Sequence, residues 1–160
     1  MKKFAIYLLL AAMVLTLAAC QEDPPATQTP TYTFTTNAGL EIAIDANVAP
    51  ILSALGEWRE YAESASCAFE GLDKVYTYSG FEIQTYPMGE QDFVYAIFLY
   101  DDTVTTDKGI HIGSTAADVT AAYGTPEKET ATAITYNGEG MTLQFLLRDG
   151  TVTSIQYTKA

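Results

Sequence analysis

Basic residues are scarce, eight against twenty acidic ones, and an imbalance of that sign disfavours nucleic acid and anionic lipid as direct partners. Histidine occurs once, at His111, and cysteine twice, at Cys20 and Cys67. A lone His111 in an apolar run reads as a structural histidine, and no motif joins it to Cys67 as a base and nucleophile pair. Glycine-rich phosphate loops and basic stripes are absent. Asp101, Asp102 and Asp107 cluster in one loop, but their spacing is not that of an EF-hand, and solvated carboxylates are the expectation. Glu57, Glu60 and Glu63 read likewise as a wet face. These absences predict a protein that is not an enzyme and carries no cofactor or metal.

What is present begins with an export signal. Met1-Lys2-Lys3 precedes an apolar run from Phe4 to Ala19 that is short for a membrane span. Leu17-Ala18-Ala19-Cys20 then resembles the end of bacterial lipoprotein signal peptides. That resemblance implies cleavage after residue 19 and acylation of Cys20, with the chain held on the outer side of the cell membrane by lipid. Cys67 is then the only free thiol, so no internal disulfide can form, and a small buried apolar role is expected of it. Loss of Lys2 and Lys3 leaves six basic residues of the original eight and moves the formal charge from −12 to −14. Residues 20–31 contain three prolines and no apolar periodicity, which predicts an extended tether.

Beyond the tether the chain carries one pattern twice. Asn47-Val48-Ala49-Pro50 through Gly56 and Thr115-x-x-Asp118 through Gly124 each give a helix-capping residue, an apolar stripe and a terminal glycine. After each helix Tyr78-Ser79-Gly80 matches Tyr136-Asn137-Gly138, Val94 matches Val152 and Ile97 matches Ile155, at one common offset. The first copy holds about ten additional residues between Gly56 and Val75, and the structure of Glu57–Tyr61 and Ser64–Phe69 is left open. Alternation predicts a hairpin over Tyr32–Ile44 and strands at 74–78, 81–86, 93–100, 131–136, 141–147 and 151–157. The expected class is α+β, two tandem repeats of a helix and a three-stranded antiparallel meander, over residues 32–105 and 106–160.

With Gly109-Ile110-x-Ile112-Gly113-x-Thr115-x-x-Asp118-Val119-x-x-x-Tyr123-Gly124-x-Pro126 opening the second copy, this arrangement resembles the β-lactamase-inhibitor-protein-like fold. The resemblance implies two repeats with their sheets side by side, helices on one face, and the other face open to protein partners. Its members include enzyme inhibitors and envelope assembly factors; no inhibitor-loop motif is present here.

The repeat also predicts facing. Met141, Leu143, Phe145 and Leu147 should turn to the helices, and Thr142, Gln144, Leu146 with Val152, Ser154, Gln156 and Thr158 should turn outward. Projected onto the first copy, the outward set becomes Glu82, Gln84, Tyr86, Val94, Ala96, Phe98 and Tyr100. Together with Tyr76 and Tyr78 on the neighbouring strand, these aromatics form a candidate surface for an envelope or secreted protein. Trp58 is a second candidate anchor. The alternative is a receptor for a small ligand or cell-wall fragment held between the repeats.

Overall fold

A computed structural model describes residues 29–160; the signal segment, Cys20 and most of the tether lie outside the described residues. A two-stranded hairpin comes first, β1 (Phe34–Thr35) and β2 (Glu41–Ile42), followed by α1 (Val48–Leu55). Four strands follow: β3 (Glu60–Ala65), β4 (Leu72–Thr77), β5 (Phe81–Met88) and β6 (Gln91–Leu99). Then α2 (Ala116–Tyr123) leads into β7 (Lys128–Glu129), β8 (Ala133–Gly138), β9 (Met141–Arg148) and β10 (Thr151–Lys159). The long strands make one eight-stranded antiparallel sheet in the order β3-β4-β5-β6-β10-β9-β8-β7.

The expected α+β class is thereby corrected. The chain is mainly β, and its two helices have eight residues each, about 12 Å of rise apiece. They cover part of one face and share that task with the β1-β2 hairpin. Neither group of strands is a three-stranded meander, because β3 and β7 add an edge strand to each. The two groups join through hydrogen-bonded β6 and β10, with Ile155 opposite Leu99 and Tyr157 opposite Ile97.

Local chemistry explains the helices. The Asn47 side chain accepts a hydrogen bond from the Ala49 N–H at 2.9 Å, Pro50 sits in the first turn where its missing N–H costs nothing, and Gly56 ends α1 at φ 76°. In α2 the Thr115 hydroxyl accepts from the Asp118 N–H at 3.2 Å while the Asp118 carboxylate accepts from the Thr115 N–H at 2.9 Å, a reciprocal capping box. Thr36-Asn37-Ala38-Gly39-Leu40 and Thr106-Asp107-Lys108-Gly109-Ile110 close matching turns ahead of the two helices, each with its threonine Oγ1 accepting from an N–H four residues on, at 3.1 Å.

The core lies between the sheet and this covering layer. Phe34 from the hairpin packs 5.0 Å from Phe81 and 6.4 Å from Tyr157, while Val48, Ile51 and Val119 come down from the helices. Met141, Leu143, Phe145 and Leu147 are all buried here, and Thr142, Gln144 and Leu146 are half-buried on the other side. The expected outward facing of Val94 and Val152 is wrong, since both are buried. Tyr95 is an extra residue between the pairs Gln84–Ala96 and Thr85–Val94, and Thr153 is extra between Leu146–Ser154 and Leu147–Val152. Each bulge shifts the alternation by one residue and turns the valine inward. The bulges occupy matching positions of the two copies, next to bridges from the cap residues Asn47 to Phe93 and Thr115 to Thr151.

The additional residues of the first copy are also accounted for. β3 has six residues where β7 has two, and the Ser66–Gly71 loop links β3 to β4.

Candidate functional site

The five aromatic residues expected to share a contact surface are divided among several environments. Tyr76 and Tyr78 face the helices: Tyr76 pairs across the sheet with core residue Ile83, and Tyr78 stacks on Phe81 at 5.2 Å. Their burial raises both phenol pKa values. Tyr86 does face outward, yet it is buried because Phe69 of the Ser66–Gly71 loop lies over it, ring centroids 4.8 Å apart. Phe98 is half-buried on the outer face between Glu82 and Gln156. Tyr100 is exposed at the end of β6, where its hydroxyl donates to the carbonyls of Tyr78 and Phe81 at 3.1 and 3.0 Å. The structure therefore does not unite Tyr76, Tyr78, Tyr86, Phe98 and Tyr100 in one patch.

Trp58 belongs to a different group. It is 45 % exposed, 5.2 Å from Tyr76 and 5.9 Å from Tyr61, and Tyr61 in turn lies 5.2 Å from Tyr76. Tyr76 is the buried base of this cluster, with Trp58 and Tyr61 as its open side. Beside them runs β3, whose six residues are all exposed. Among the described residues it pairs with β4 on one side only, leaving a row of backbone donors and acceptors on the other. The Tyr61 hydroxyl donates to Glu63, and this bond pushes the phenol up to about 12. Sequence reading missed Tyr61 and β3, although the alternation of Tyr61 and Glu63 with Ala62 is a strand signal.

A second feature sits on the outer face beneath the Ser66–Gly71 loop. The loop and the strands β4, β5 and β6 line a half-open cavity of about 230 Å³, with Phe69, Asp73, Gln84, Tyr86 and Tyr95 among its walls. Gly71 closes the loop at φ 127°, where a Cβ would meet the Pro87 ring at 3.0 Å; glycine meets both requirements.

The remaining candidates are placed apart. Cys67 is exposed in the Ser66–Gly71 loop, which corrects the expected burial: no strand or helix carries it inward. His111 lies at the opposite end of the sheet, just before Ser114, whose carbonyl accepts from the Val152 N–H. Its Nδ1 donates to the Ile112 carbonyl at 2.9 Å, so His111 and Cys67 are not paired. Asp101 accepts from the Thr103 N–H at 2.8 Å and Asp107 from the Tyr123 hydroxyl at 2.8 Å. Among the described residues, no three of His, Cys, Asp and Glu gather as a metal site, and no helix is long and apolar enough to cross a membrane.

No protein-family model matches this chain, and no curated protein does. A solved structure of an extracellular protein containing an SCP domain, from Bacillus anthracis str. Ames, is similar over 72 % of this chain and 44 % of its own, at 12 % identity and a TM-score of 0.42. The chain thus spans less than half the length of that protein, and a likeness so slight assigns neither fold nor function.

Proposed function

We propose that this chain is a membrane-anchored extracytoplasmic lipoprotein that binds an envelope or secreted protein and is not an enzyme. The observation that carries the binding role is the open edge of β3 with Trp58 and Tyr61 beside it. An edge strand with unpaired backbone groups accepts an extended segment as an added strand, and neighbouring aromatic side chains supply apolar area at low entropic cost. Glu60 and Glu63 on β3, with Glu57 just before it, oppose pairing with a second copy of the same edge and favour a partner segment bearing Lys or Arg.

The anchor follows from Leu17-Ala18-Ala19-Cys20. The Pro30 carbonyl accepts a hydrogen bond from the Glu139 N–H at 3.0 Å, so the tether meets the fold at the β8-β9 turn. Pro30 lies ten positions after Cys20, a stretch that fully extended reaches about 35 Å. β3 is at one end of the strand order and β8 and β9 are near the other, so the contact edge lies away from the point where the tether joins the fold. A ligand held between the repeats has less support, because β6 and β10 are hydrogen-bonded neighbours where the repeats meet.

The test places a photo-crosslinking residue at Tyr61, or at the exposed control position Thr153, in the protein in its native envelope. A discrete crosslinked protein at Tyr61, lost on adding Trp58→Ala or Glu60→Lys, supports the reading. Equal crosslinking at both positions, or none at either, overturns it. For the anchor, Cys20→Ala should release the protein from membranes.

A further inference from the structure

The cavity beneath the Ser66–Gly71 loop has a chemistry that the β3 edge does not use. Aromatic rings form much of its wall: Phe69 and Tyr86 at 4.8 Å, and Tyr86 and Tyr95 at 6.4 Å with planes 78° apart. The Tyr86 hydroxyl donates to Asp45 at 2.9 Å, which fixes the ring. The Lys159 ammonium lies 5.4 Å from the centre of that ring, so its π face already attracts one cation from the chain.

The polar groups of the cavity are mostly committed elsewhere. Lys74 is paired with Asp92 at 2.6 Å, the Gln84 amide donates to Glu82 at 2.8 Å, and Ser66 Oγ accepts from the Phe69 N–H at 3.2 Å. Asp73 stands out: among the described residues, its Oδ1 is buried with no hydrogen-bond partner. A buried carboxylate oxygen left without a donor is costly, and a ligand that supplies a charged donor removes that cost.

We infer that this cavity binds a small organic ammonium, a protonated primary amine on a flat apolar body. The ammonium donates to Asp73 Oδ1, and the apolar body lies against Phe69, Tyr86 and Tyr95, where aromatic faces favour both the hydrocarbon and the charge. A volume of about 230 Å³ equals the liquid volume of roughly seven or eight waters, room for one ring and a short arm. The unpaired carboxylate and the strongly acidic chain turn away phosphates and carboxylates. The site is independent of the β3 edge, so either can fail without the other.

Benzylammonium and its neutral counterpart benzyl alcohol test the assignment on the purified protein, followed through the ring resonances of Phe69, Tyr86 and Tyr95. Benzylammonium should give saturable shifts at these rings and bind about tenfold or more tighter than the alcohol, as expected for a charge-assisted hydrogen bond. Asp73→Asn, equal in size, should erase that preference with the fold intact, while Tyr61→Ala on the β3 edge, outside the cavity lining, leaves it in place. Tyr95→Leu, which leaves Asp73 in place, should weaken benzylammonium and serves if Asp73→Asn does not fold. Equal affinity for the two probes, a preference that survives Asp73→Asn, binding unaffected by Tyr95→Leu, or shifts at other residues alone each overturn the inference. So does the absence of saturable binding below about 10 mM.

Discussion

The carbonyl of Pro30 and the N–H of Glu139 are joined by a 3.0 Å hydrogen bond, which fastens the start of the folded chain to the β8-β9 turn. Gly138 makes this approach feasible: a Cβ there would stand 2.7 Å from the Pro30 oxygen and 3.1 Å from the Tyr32 ring. Gly138→Ala should therefore push residues 30–32 away and destabilise the protein by about 1–3 kcal/mol, the usual cost of overpacking. Hydrogen exchange should show lost protection at Glu139, with the β9-β10 pairing unchanged.

Tyr78 carries a hydroxyl that is buried with no hydrogen-bond partner among the described residues. Removing an unsatisfied polar atom while keeping the ring stacked on Phe81 relieves a desolvation cost. Tyr78→Phe should leave stability unchanged or raise it by up to about 1–2 kcal/mol, read as a shift of the denaturant midpoint at constant slope. A clear loss would mean that the hydroxyl has a partner in solution.

The capping box of α2 gives an acid-sensitive signal. Hydrogen bonds from Thr115 hold the Asp118 carboxyl below its ordinary value of 3.8. A group whose folded pKa is lowered contributes stability above its unfolded pKa, and that contribution is lost as pH falls through the folded value. Protection of the first-turn amides of α2 should thus fade below about pH 3.8, before the β9-β10 ladder does. Thr115→Ala should destabilise the helix start by about 1 kcal/mol and remove most of this pH dependence.

At the alkaline end the tyrosines act together. Burial raises the phenol pKa of Tyr76, Tyr78, Tyr136 and Tyr157 above the ordinary value of 10.0. With a raised folded pKa, stability is fully present below the unfolded value and is lost as pH rises through the folded one. Denaturant midpoints should hold to about pH 9.5 and fall steeply beyond about pH 10. Tyr157→Phe should flatten that fall.

Much of the fold was legible locally. Asn47 and Thr115 cap α1 and α2, Gly56 and Gly124 end them, and the alternation from Met141 to Leu147 separates a core face from an open one. These signals act within a few residues, through hydrogen bonds and backbone freedom that neighbours in the chain supply. The candidate site was legible only in fragments. Trp58 was singled out without Tyr61, and Tyr86 without the Phe69 that covers it, because those pairings join segments that sequence alternation does not connect.

The sequence by itself determined where the helices start and stop, the strong acidic balance, and a repeated order of turns and strands. Only the tertiary structure decided which way the bulged strands face and what the short helices amount to. One extra residue at Tyr95 and one at Thr153 turn Val94 and Val152 into the core, and a bulge exists only relative to the partner strand that lacks it. Tyr76 and Tyr78 face the helices for a similar reason, since the register of β4 on β5, and not the composition of β4, sets their side of the sheet. Two helices of about two turns each on eight paired strands make a mainly β protein, a balance settled when β6 pairs with β10.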